Sequence, residues 1–271
     1  MTNTSDQDPL YYTDEKPVYP QDFAEALKTL GITRGDCILV HSDIAVFGKL
    51  ASYDREHLFS SLINELKNAV GEDGTIIMPT FSYSFCENKV FESVRTKSRV
   101  GVLTEYFRTL PDVVRTIHPI FSFAIWGENK ESYLSISKDS FDSDSVFGKL
   151  HKNQGKILFL GASFQSCTFI HYIEQMHGVP YRFFKKFEGT IRNGNQEYQD
   201  TFTYLVRYLD NREVVVDLSR FEKHLLNHQY LKKAAAGNGN ILSIEAERLF
   251  LEGSKQLDND ISFFLKTEFE G

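Results

Sequence analysis

In the stretch FIHYIEQMHGVPYRF, residues 169–183, His171 and Glu174 stand three positions apart, shortly before a Gly-Val-Pro stop. Residues three and four apart share one face of a helix. An imidazole held by a carboxylate is a base near neutral pH. One turn past a helix start, the positive end of the helix also resists its protonation. Just upstream, Ser166, Cys167 and Thr168 fall in the first turn of the same helix. Hydroxyls and free amides there suit a phosphate, a carbonyl or an oxyanion. Cys167 and His171, four apart, also raise a thiolate nucleophile. Each pattern has an ordinary counterpart: a surface His/Glu pair, plain Ser or Thr capping, a small buried cysteine. As zinc ligands the pair is poor, since HExxH is absent and no third ligand is signalled.

These side chains need a frame. LVHSD, IMPTFSYS and FLGASFQSCT share one design, an apolar strand running into a polar loop. In open α/β sheets such loops gather at the carboxyl edge, where ligands bind. Between them lie amphipathic helical stretches, QDFAEALKTLG and REHLFSSLINELKNAVG, each closed by glycine. Strand and helix patterns alternate up to Pro180. Beyond it, the period-two stretch around Asn193-Gly194 signals a hairpin, and LSRFEKHLLNHQYLKKAAAGNGN reads as helix and then glycine-rich loop. Residues 1–19 read as an irregular lead-in. The expectation is an α/β fold, a mixed central sheet flanked by helices. A core over 1–180 carries an antiparallel-plus-helix addition over 181–271.

RTIHPIFSFAIWG fixes His118 before a proline and offers Ser122. GNGN at 237–240 lacks GxGxxG and opens no βαβ unit, so it is no dinucleotide fingerprint. The 271 residues carry a formal net charge of −7, against a nucleic-acid partner, which would show a basic stripe. The polar, acidic start is no signal peptide, and no apolar run approaches the roughly 18 residues of a membrane helix. Cys37, Cys86 and Cys167 form an odd, scattered set, which fits a reducing compartment. The expected location is the cytoplasm, with no membrane partner.

In their order, these segments resemble the aminoglycoside 3-N-acetyltransferase family, the antibiotic N-acetyltransferases. GITRGDCILVHSDIAVFG is similar to the family's early segment ending in VHSS, and GEDGTIIMPTF to its MPTF segment. TKSRVGVLTEYFRTLPDVVRTIHPIFSFAIWG resembles the long central signature with its HP pair. GKILFLGASFQSCTFIHYIEQMHGVPYR resembles the segment with S-x-T and H-x-x-E. The resemblance covers most of the chain. Asp43 departs from it where the second serine of VHSS stands, and Lys97 where a proline stands in T-P-S.

The resemblance implies an N-acyltransferase that uses coenzyme A as acyl donor, needs no metal, and acts by direct attack in a ternary complex. By matched position it implies His171 and Glu174 as catalytic pair and Ser166 and Thr168 at the oxyanion or thioester. Around the three loops, His41, Ser42, Asp43, Phe47, Gly48, Thr80 and Ser122 are expected at the cofactor. Tyr83, Ser84, His118 and Arg182 are expected at the acceptor. For that acceptor, YRFFKK, Arg192 and YLKKAAAGNGN lean toward a nucleotide-linked (dTDP or UDP) amino sugar of surface-polysaccharide synthesis. The alternative acceptor is an aminoglycoside antibiotic. A non-catalytic CoA- or sugar-nucleotide-binding protein is the reading from another class. A homodimer is one assembly the chain would allow.

Overall fold

The computed structural model describes residues 8–208 and 214–267. Two short paired strands, β1 (Tyr11–Tyr12) and β2 (Pro17–Val18), precede α1 (Pro20–Thr29), so the lead-in is more regular than its composition suggests. There follow β3 (Cys37–Ser42), β4 (Lys49–Leu50), α2 (Arg55–Val70), β5 (Thr75–Pro79), β6 (Phe91–Glu92) and α3 (Val102–Arg108). Next come β7 (Val114–Arg115), β8 (Phe123–Gly127), α4 (Val146–Lys152), β9 (Lys156–Leu160) and α5 (Phe169–His177). The chain continues through β10 (Arg182–Asn193), β11 (Gln196–Arg207), α6 (Ser219–Asn227), β12 (Lys232–Ala236), β13 (Gly239–Glu245) and α7 (Ala246–Asn259).

Seven strands form the central sheet in the order β12-β13-β9-β3-β5-β8-β7. The middle strands β9, β3 and β5 run parallel, and antiparallel strands complete both flanks. Strands buried on both faces read as continuous apolar runs, which is how CILVHS and TIIMP read. Alternate residues feed two separate cores. Leu39, Ile77, Ile157 and Phe159 join the cluster under α4, α5, α6 and α7. Ile38, Val40, Ile76, Met78 and Leu158 join the cluster under α1, α2 and α3. The sheet is therefore covered on both sides, and its parallel strands must present their ligands at an edge.

Two features depart from the pattern in the sequence. KKAAA forms β12 rather than continuing the helix, and the glycine-rich GNGN is the turn and the start of β13. That hairpin lies beyond residue 180 yet extends the central sheet through β13 and β9. The other part of the C-terminal region, the hairpin β10–β11, pairs along twelve residues and adds β6 in a separate three-stranded sheet. Its two-residue turn is Gly194–Asn195, one position on from the Asn-Gly pair.

Candidate active site

The parallel strands place their loops together because they end together. Ser42 of β3 pairs with Leu160 of β9, so HSD and GAS leave the sheet side by side. Asp43 N–H donates to Leu160 O at 3.0 Å, and Gly161 follows at φ 75°. A Cβ on Gly161 would sit 2.2 Å from the Asp43 carbonyl, so only glycine lets the two loops approach this closely. The GAS loop then makes a 3₁₀ turn at Phe164–Ser166 before α5.

On α5 the spacing has its expected consequence. His171 Nδ1–H donates to Glu174 Oε2 at 2.7 Å, which leaves Nε2 as the other ring nitrogen. Glu174 is wholly buried, whereas the His171 side chain keeps 28% exposure at a cleft of about 950 Å³. The Phe141 ring stands edge-on to the imidazole at 5.4 Å. Burial pushes the Glu174 carboxyl up, but the His171 hydrogen bond and charge, the Arg182 charge and the Tyr181 hydrogen bond outweigh it. The carboxyl is held below its ordinary range.

Two of these partners come from the chain just past the helix. Tyr181 O–H donates to Glu174 Oε1 at 3.0 Å. Arg182 Nε lies 2.8 Å from Glu174 Oε2, but its N–H is off the hydrogen-bond line, so the contact is one of charge. Tyr181 was not signalled by any motif, and Arg182 was expected at the acceptor instead. What points to both is their place directly after the Gly-Val-Pro stop.

Thr168, His171, Arg182 and Tyr83 line the larger cleft, with Phe187 and Tyr204 of the β10–β11 hairpin stacked at 5.0 Å. Its remaining cations are Lys185 and Arg207, and no carboxylate is among its described lining residues. A second cavity of about 430 Å³ is lined by His41, Ser42, Asp43, Thr104, Ser163 and Ser166. Tyr83 and Thr168 line both, so the two spaces are arms of one site. Tyr83 holds a left-handed φ of 55°, uncommon for a residue with a side chain. In the smaller arm His41 stacks on Phe159 at 5.3 Å, and its buried Nε2 has no hydrogen-bond partner. Burial lowers the imidazole to about 4, so it is neutral.

Other expected residues lie elsewhere. Thr80 and Ser122 are fully buried, 3.1 Å apart, and surround the Arg115 guanidinium, which donates to Ser122 Oγ and to the Thr80 carbonyl. Ser84 Oγ–H donates to Ser82 Oγ, buried in the same way. His118 is buried too: its Nδ1 accepts from Ile120 and Phe121 N–H, so Nε2 carries the proton and meets Ser140 Oγ at 3.1 Å. It holds a loop rather than a ligand. Phe47 sits in the core, and a Cβ on Gly48 would meet the Tyr12 carbonyl at 2.7 Å. Ser166 Oγ–H already donates to Ser163 O, while Thr168 Oγ1 has only a 3.4 Å contact with Ser166 O. Cys167 is buried and its thiol is pushed by burial to about 12, which disfavours a thiolate.

An imidazole backed by a buried carboxylate thus faces the larger arm, one turn beyond Thr168, which lines both arms. Comparison with known proteins makes this specific. The family described as aminoglycoside 3-N-acetyltransferase matches residues 39–258. Aminoglycoside N(3)-acetyltransferase IV of Salmonella sp is 28% identical over 243 residues, covering 88% of this chain and 87% of its own. The SPbeta prophage-derived aminoglycoside N(3')-acetyltransferase-like protein YokD of Bacillus subtilis (strain 168) is 30% identical over 190 residues, 61% and 67% of the two chains. Among solved structures, a mutant of AAC(3)-IVa in complex with a gentamicin superposes with a TM-score of 0.73 at 25% identity, over 92% and 91% of the two chains. AAC-IIIb with CoASH gives 0.77 at 20% identity, over 92% and 98%. The chain belongs to the aminoglycoside 3-N-acetyltransferase family, and it is an N-acyltransferase.

Proposed function

We propose that the protein transfers an acyl group from acyl-CoA to a primary amine of an aminoglycoside, with His171 as the base. The observation that carries this is the 2.7 Å bond from His171 Nδ1 to the buried Glu174, with the imidazole lining the larger arm one turn beyond Thr168, which lines both. An ammonium must lose a proton before its lone pair attacks the thioester carbonyl. With that first proton gone to solvent, His171 Nε2 takes a second N–H proton as the C–N bond forms, and returns it to the sulfur as the C–S bond breaks. Glu174 keeps the imidazole in the Nδ1–H tautomer by accepting its hydrogen bond. Coenzyme A fits the smaller arm, where neutral His41 and the Ser42 and Ser163 hydroxyls suit an amide or phosphate chain. A structural neighbour with CoASH bound supports a CoA donor.

The preference for a nucleotide-linked sugar gives way to the aminoglycoside. The relatives are named for aminoglycosides, and the basic segments behind that preference are mostly elsewhere. Arg192 pairs with Glu197 and Glu92 near the hairpin tip, and Lys232 and Lys233 lie on the outermost strand of the sheet. Of the basic residues of YRFFKK, Arg182 and Lys185 line the cleft. The described lining of the larger arm carries Arg182, Lys185 and Arg207, so the aminoglycoside reading rests on the relatives and not on the charge of this arm.

The test is thiol release from acetyl-CoA against gentamicin, kanamycin, apramycin and dTDP-linked amino sugars, with product masses. Acetylated antibiotic is the expected product. Turnover confined to the nucleotide sugars would overturn the acceptor, and no turnover with any amine would overturn the enzyme reading.

A further inference from the structure

The turn after α5 carries a device that the base itself does not require. Gly178 takes φ 81° and ψ 44°, and both its own N–H and that of Val179 return to the Glu174 carbonyl. This left-handed stop reverses the chain over two residues, so that Tyr181 and Arg182 fall back onto the carboxylate one turn earlier. Glu174 then has His171 and Arg182 on Oε2, Tyr181 on Oε1, and no contact with water. Orienting an imidazole takes one carboxylate oxygen. A second, permanent cation on that oxygen does something else.

We propose that Arg182, with Tyr181, is a positioning pair that sets the basicity of His171 through Glu174. The inference rests on His171 being the base. A buried carboxylate facing only an imidazole draws a proton onto it and leaves an imidazolium, which is no base. Arg182 already balances Glu174, so the site is neutral with His171 unprotonated and gains a net charge only when His171 accepts the acceptor's proton. Tyr181 holds the other oxygen and stops the carboxylate from turning away. Both side chains are nearly out of solvent, Arg182 at 6% and Tyr181 at 0%, so bulk screening is weak. Other groups reach the cluster at one remove. Asp139 accepts from Gln175 on the next position of α5, Asp260 acts on Tyr181, and Tyr204 of β11 feels Arg182. The ring of Phe141 supplies the apolar side.

The experiment follows the ring proton of His171 by NMR across pH, assigned by its loss in His171→Asn, in the full chain without acceptor. Arg182→Gln should move the titration midpoint up by about one pH unit or more, as expected for losing an opposite charge within ion-pair range of the carboxylate. Tyr181→Phe, which removes one hydroxyl and leaves the packing, should move it less in the same direction. Arg182→Lys should restore most of the shift. The acid limb of kcat/KM should move with the midpoint, a loss of roughly tenfold at neutral pH that is recovered in alkali. A midpoint unmoved in Arg182→Gln and Tyr181→Phe would overturn the proposal. So would a kcat/KM lowered equally at every pH, the mark of a structural or binding role. Because the titration needs no acceptor, it can succeed even if every amine in the acylation panel fails, and the reverse holds as well.

Discussion

A histidine reads differently in each place this chain puts one. His171 is anchored through Nδ1 and open to a cleft, His118 is closed on both nitrogens, and His41 is buried with Nε2 unpartnered. Each of the last two follows an apolar residue, Ile117 or Val40, and the distinction lies in which loops pack over them. An unpartnered buried nitrogen costs stability unless a ligand completes it. His41→Phe should therefore leave the melting temperature unchanged or raise it, while raising KM for acyl-CoA by about tenfold, as a lost hydrogen bond to ligand implies. A KM within twofold of wild type would remove His41 from the donor arm. The cysteines make a second residue-scale contrast. Cys86 is exposed at the larger cleft and Cys167 is buried just before α5. Brief N-ethylmaleimide treatment, read by peptide mass, should label Cys86 and spare Cys167, and Cys167→Ala should keep full turnover; a dead Cys167→Ala of native stability would restore the thiolate reading.

At the scale of elements, the site is made by ends rather than by interiors. The carboxyl ends of β3, β5 and β9 were legible because each apolar run stops at a polar loop, and the i, i+3 pair was legible because α5 is regular. Fine placement was not. Thr80 and Ser122 flank those strand ends, yet Arg115, seven positions before Ser122, donates to the Ser122 hydroxyl and the Thr80 carbonyl, and the Thr80 hydroxyl meets that of Ser122. A buried guanidinium has more donors than its own loop can satisfy, and no short motif announces where they go. KKAAA became β12 because β13 offered an edge, against the weak strand propensity of alanine. The α5 stop shows what one end is worth. A Cβ on Gly178 would meet nothing within 4 Å, so Gly178→Ala incurs only the left-handed backbone cost, about 1–2 kcal/mol. Urea unfolding should show that loss, with a fall in kcat as Tyr181 and Arg182 lose their purchase on Glu174. An unchanged urea midpoint would mean the turn has another way to form.

For the whole molecule, the sheet divides two apolar cores and leaves the two arms at one edge, and the pH dependence of folding draws on His41 and His118 rather than on His171. His41 and His118 are neutral in the folded chain because burial lowers them to about 4 and about 3, whereas unfolding returns them to about 6.5. Below pH 6.5 the unfolded chain binds the extra protons, so stability is full above that pH and falls as pH drops toward 4. Each group contributes about 1.4 kcal/mol per pH unit across its window. The urea midpoint should be clearly lower at pH 4.5 than at pH 7.5, and less so in His41→Phe; a flat profile would place charge on these rings in the native state. The fold class could be read from alternating strand and helix patterns, but the junction of the C-terminal hairpins with the core could not, because β13 joins β9 across some eighty residues of chain. The central claim is that one imidazole removes the proton from the amine. The direct test is kcat for thiol release with wild type and His171→Asn at saturating acetyl-CoA and acceptor. The account predicts a fall of roughly 10²–10⁴-fold with the melting temperature kept. A variant that turns over within tenfold of wild type would contradict it.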